Sequence, residues 1–280
     1  MVNVTASLLV LTAALLSWKT GIEAKGGIPL LVAEVQHQAE GNEFTLPAGT
    51  PRRELFTEYL KQDQFMRQFS LMYAVMVHHK SPSGSAYLIL LNGAKRSEWE
   101  AHQEAVLAHE FGHAWLKAEG YPAPILINNQ WACVGIHAGD ITQHVLIRAE
   151  LDRRGIDHRT FWFRSLDQAV AQMEKGPPPP EADRCARVRQ TAQLVDVRLG
   201  VKPGEWAGQA RYEAAVHQSM PEVESTVAAI VAYVQAHDMA DRAEHRTALQ
   251  FVFEKLKDLG YQRTNDYRVC ATLEMCSPLV

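Results

Sequence analysis

The chain has 280 residues, 47% hydrophobic and 21% charged, with 28 Lys and Arg against 32 Asp and Glu for a net charge of -4. That length and apolar content exclude a disordered chain and allow one large or two modest domains with a real core. The charges are spread without a basic block, which excludes the electrostatic footprint of a nucleic-acid binder; no nucleic-acid partner is expected.

Residues 6–18 (ASLLVLTAALLSW) form an uncharged apolar run followed by Lys19. The run is shorter than the ~20 apolar residues of a membrane span. Residues 1–24 therefore read as a signal peptide cut after Ala24, or as a membrane anchor, and the chain as exported (periplasmic or extracellular) or tethered. The competing reading is a buried first helix or strand. Cys133, Cys185, Cys270 and Cys276 make an even set that an exported protein can pair, Cys270 and Cys276 being close enough for a local bridge. No C-x-x-C pair is present, so they do not resemble a zinc knuckle; in the cytosol they would be four ordinary thiols.

Residues 28–35 (IPLLVAEV) predict a short buried strand. Thr50 and Pro51 then mark a helix start, and the apolar positions Leu55, Phe56, Tyr59, Leu60, Phe65, Phe69, Met72, Tyr73 and Met76 predict a helix to about His79, with Phe65, Phe69 and Tyr73 in the core. Residues 80–84 (KSPSG) read as a turn and residues 86–91 (AYLILL) as a strand. Ser97 and Glu100 suggest a capping box for a helix that runs to Glu119 and stops at Gly120. A second long helix is expected over residues 130–154, its end at Arg148, Glu150, Asp152, Arg153 and Arg154 forming a solvated, salt-bridged surface. The tract 176–180 (GPPPP) reads as an extended linker. It is the one candidate boundary, between a domain of residues 25–175 and a helical C-terminal region, residues 181–280, that packs on it, with helices over 182–199, 221–237 and 240–259. The fold class is α+β, mainly α, with a small sheet.

Residues 109–113 read His-Glu-Phe-Gly-His and fall inside a predicted helix. Positions i and i+4 share a helix face, so His109 and His113 can reach one ion. Two neutral imidazoles suit zinc, and Glu110 beside them is placed as general base, taking a proton from a zinc-bound water. The apolar residues Ala105 to Ala108 ahead of the motif suit a helix buried on its other side. His37, His78, His79, His158, His217, His237 and His245 have no partner spacing and are assigned no role.

The segment LAHEFGHAWL resembles the active-site helix of the zincin superfamily of zinc metallopeptidases, over about residues 50–155. The resemblance implies a zincin-like domain holding one Zn2+, a peptide or protein substrate, and a role for residues 86–91 as the strand lining the substrate. The third His of metzincins is absent, since position 119 is Glu119. Zincins of other branches take a third ligand from a second helix, and the helix over 130–154 offers His137, Asp140, His144 and Glu150. Two assignments stay open: Asp140 as ligand with His144 supporting it, or His144 as the ligand. An oxyanion donor could come from Tyr212, His217, Tyr233 or Tyr261. The rival functions are a zinc hydrolase of a non-peptide amide, a non-enzymatic binding protein on a zincin fold, and a structural zinc site with four protein ligands.

Overall fold

The computed structural model describes residues 11–38, 43–62, 65–66, 69–82, 84–125, 132–175, 186–259 and 268–270. It is α+β and mostly helical, with a small mixed sheet, and the chain divides into two compact units: residues 1–119 with 151–161, and residues 120–150 with 162–280.

The first unit is built on strands β1 (Leu30–Gln38), β2 (Glu43–Thr45), β3 (Ala74–Ser81) and β4 (Gly84–Asn92), in the order β2-β1-β4-β3. β4 pairs parallel with β1 and antiparallel with β3. Its unbroken apolar run follows from burial on both faces, where no polar alternation is needed. Ala86, Leu88 and Leu90 pack with Leu55 and Phe56 of α2 (Arg53–Leu60) and with Phe69. The alternate residues Tyr87, Ile89 and Leu91 are turned to the opposite face, which α4 (Gln103–Ala118) packs against. There α1 (Ala13–Gly26) ends so near β4 that a Cβ on Gly26 would stand 2.9 Å from the Tyr87 ring. Leu15, Trp18 and Ile22 of α1 are buried, and Trp18 meets Phe111 of α4 edge-on with ring centroids 6.2 Å apart.

Two expectations change here, the long helix and the capping box. The helix expected to His79 ends at Leu60, because residues 74–81 pair with β4 from Ala74↔Leu91 to Ser81↔Gly84; this long-range ladder overrides the helical spacing of Met72, Tyr73 and Met76. Phe69 is in the core as expected, stacked on Phe65. The expected capping box does not start α4: Ser97 belongs to a separate turn, α3 (Arg96–Trp99), and the cap of α4, His102, makes no side-chain cap bond. β4, expected to line a substrate, is hydrogen-bonded on both sides, and β3 holds the outer position. Residues 13–26 form a helix with three buried side chains, which is the buried-helix reading of the N-terminal segment. Residues 1–10, with the start of the apolar run, lie outside the described residues. No helix among the described residues is long and apolar enough to cross a membrane.

The second unit is helical. Val134, Ala138 and Ile141 of α5 (Ala132–Arg154) and Leu166 and Val170 of α6 (Arg159–Met173) share one core with α7 (Ala186–Gly200), α8 (Gln209–Ser219), α9 (Glu224–Gln235) and α10 (Arg242–Lys257). Val195, Val216, Ile230 and Phe253 are its fully or almost fully buried representatives from those last four helices. Residues on both sides of the GPPPP tract build this core. That tract itself lies outside the described residues. A short antiparallel pair, β5 (Ala123–Ile125) with β6 (Arg268–Cys270), completes the unit. Cys133 is disulfide-bonded, so it is not the ordinary thiol of the cytosolic reading. A Cys270–Cys276 bridge and Cys185 fall outside the described residues.

Candidate metal centre

α4 presents its motif as the i, i+4 spacing requires. Ala105, Val106, Leu107, Ala108, Phe111, Ala114 and Leu116 are buried, which fixes the helix by its apolar side and leaves His109 and His113 half-buried together. Their Nε2 atoms lie 3.2 Å apart. Two imidazole nitrogens bound at 2.0–2.1 Å in a tetrahedral set stand about 3.3 Å from each other, so the pair already has the separation that one ion demands. Glu110, one residue on, is buried at 7% exposure.

His109, His113 and His144, the last on α5, form a group that could hold a metal ion. Asp140 does not join the group. Its carboxylate is 3.9 Å from His144 Nε2 and 3.4 Å from His137 Nδ1.

A residue the sequence did not single out holds His144. Asp196 of α7 takes His144 Nδ1 at 2.7 Å through Oδ2, and its Oδ1 accepts from Arg148 at 3.1 and 3.2 Å. Arg148 is therefore not part of a solvated helix end; it is buried, with its guanidinium 4.9 Å from the Trp162 ring. A Cβ on Gly200 would stand 2.6 Å from Arg148 Nε, so the smallest residue is needed for the arginine to pass. Burial opposes ionisation of Asp196, but Arg148 and His144 outweigh it and hold the carboxyl below the ordinary range. Burial likewise works against a charged His144, and Asp196 outweighs it, so the imidazole is raised. Nothing in the spacing of residues 186–200 distinguishes Asp196 from a surface residue of an amphipathic helix; only the packing of α7 on α5 does.

The other residues considered lie elsewhere or are committed to the core. Tyr212 is fully buried with its hydroxyl unpaired, and burial pushes its pKa above the ordinary tyrosine range. Tyr233 is stacked between His237 and Phe251. His217 is exposed, and Tyr261 is outside the described residues. Compared with protein-family models, curated proteins and solved structures, the chain matches none of them.

Proposed function

We propose that this chain is a zinc-dependent metallopeptidase, held to its metal by His109, His113 and His144, with Glu110 as general base. The observation that carries the reading is that His109, His113 and His144 form a group that could hold a metal ion, with the buried Glu110 directly after His109 in the sequence. A set of three imidazoles suits a catalytic ion, which keeps a position open. A bound zinc ion would supply Lewis acidity and lower the pKa of water toward about 7.

Glu110 has the composition and place of the base. It follows His109 on the same helix and is shielded from bulk water, and in this reading it accepts a proton from the attacking water and returns it to the leaving amine. His109 and His113 serve as neutral donors through Nε2. Choice of a peptide over another amide, and of a zincin-like domain, rests on the resemblance of LAHEFGHAWL to the zincin active-site helix. The disulfide at Cys133 supports an oxidising, extracytoplasmic compartment. Burial of Leu15, Trp18 and Ile22 supports keeping α1 within the folded protein rather than cleaving it after Ala24.

The test is metal content and hydrolysis of a mixed peptide library by native protein, Glu110→Gln and His113→Ala. One zinc per chain, lost in His113→Ala and retained without activity in Glu110→Gln, is the expected result. Absence of zinc, or full activity in Glu110→Gln, would overturn the proposal.

A further inference from the structure

The His144–Asp196–Arg148 chain has more construction than a ligand of a metal strictly requires. Asp196 divides its two oxygens, Oδ2 to His144 and Oδ1 to Arg148, and the side chains of all three are 11–16% exposed. Arg148 in turn is fitted between the Trp162 ring and the backbone at Gly200, where even a methyl group would displace it or the ring. An imidazole has two nitrogens and, when neutral, one proton, so whichever nitrogen gives a hydrogen bond is closed to a metal. A free histidine on a helix surface divides itself between both tautomers and many ring orientations.

We propose that Asp196, braced by Arg148, is the positioning residue of the third ligand, accepting the Nδ1 proton of His144 so that Nε2 is the nitrogen offered beside His109 and His113. Arg148 keeps the carboxylate an acceptor with a fixed plane, and the Trp162 and Gly200 slot keeps Arg148 in place. His109 and His113 get their alignment from a shared helical turn; His144 gets its alignment from Asp196 of α7. The inference rests on the reading of His144 as a ligand, but the tautomer it assigns exists before any metal is added.

The experiment therefore has a metal-free arm and a metal arm. In the metal-free native protein, 15N spectra of the histidine side chains should show His144 as a single Nδ1-H tautomer at a pH where it is neutral. In Asp196→Asn the signal should move to a mixture of tautomers, while thermal unfolding stays a single cooperative transition. Zinc affinity, measured by competition with a chromophoric chelator, should then fall roughly 10–100-fold in Asp196→Asn. An Nε2-H tautomer in the native protein, or an Asp196→Asn variant with an unchanged spectrum and unchanged affinity, would overturn the proposal. If Asp196→Asn does not fold, the native tautomer alone decides. A native protein with the Nδ1-H tautomer that binds no zinc would instead defeat the metallopeptidase reading and leave the Asp196 geometry standing.

Discussion

α4 and α5 each carry an i, i+4 pair able to hold a metal, His109 with His113 and Asp140 with His144, and the two pairs are held in place differently. In α4 the two Nε2 atoms are 3.2 Å apart. In α5 Asp140 stands 3.9 Å from His144 Nε2, while the other nitrogen, Nδ1, is fastened at 2.7 Å to Asp196, 52 residues away in sequence. Helical spacing states which side chains can converge; partners arriving from other elements decide which do. The α4 half of the centre is local, the α5 half is tertiary, and the two should fail in different ways when perturbed.

The largest effect should come from the local half. Glu110→Gln keeps the shape of the buried side chain and removes its basicity, so turnover of a peptide substrate should drop about 100- to 10,000-fold with zinc content unchanged. Equal losses of zinc and turnover would show that Glu110 supports the metal rather than the proton transfer. Next is the buttress behind α4. Trp18 is 2% exposed, rests on Phe111 and Trp115, and carries Arg154 over its ring at 4.4 Å. Trp18→Ala should cost about 3–5 kcal/mol in denaturant unfolding. A cost under ~1 kcal/mol would mean that α1 is dispensable to the unit carrying His109 and His113.

The unit that carries His144 should respond to acid through a group outside the metal centre. His245 is fully buried, its Nδ1 is 3.2 Å from the Met239 carbonyl and its Nε2 is unpaired. Burial pulls its pKa down to about 4, against about 6.5 in an unfolded chain. Between those values the unfolded state binds a proton that the folded state does not. Stability is therefore full above about pH 6.5, falls as the pH drops toward 4, and levels off below, a loss on the order of 3 kcal/mol. Denaturant midpoints across that range should show the slope in the native chain and a flatter curve in His245→Gln. Parallel curves would mean that other groups set the acid response.

How much of this was legible in the sequence follows the same division. The motif His109-Glu110-x-x-His113 was readable because a helix makes its geometry from five consecutive residues, and strand β4 was readable from an unbroken apolar run. β3 was not: Met72, Tyr73 and Met76 continue a helical spacing, and only the ladder with β4 makes residues 74–81 a strand. His144 was named with Asp140 as its rival, since both sit at suitable places on one helix face. Asp196 and the burial of Arg148 were not visible, because their meaning lies in contacts between α5 and α7, and Gly200 reads in sequence as a helix end rather than as room for a guanidinium.

The most direct measurement is a zinc titration of native protein, His144→Ala and Asp140→Ala side by side. The account predicts one zinc per chain in the native protein and in Asp140→Ala, and no stoichiometric binding in His144→Ala. Binding kept in His144→Ala and lost in Asp140→Ala would contradict it and make Asp140 the third ligand.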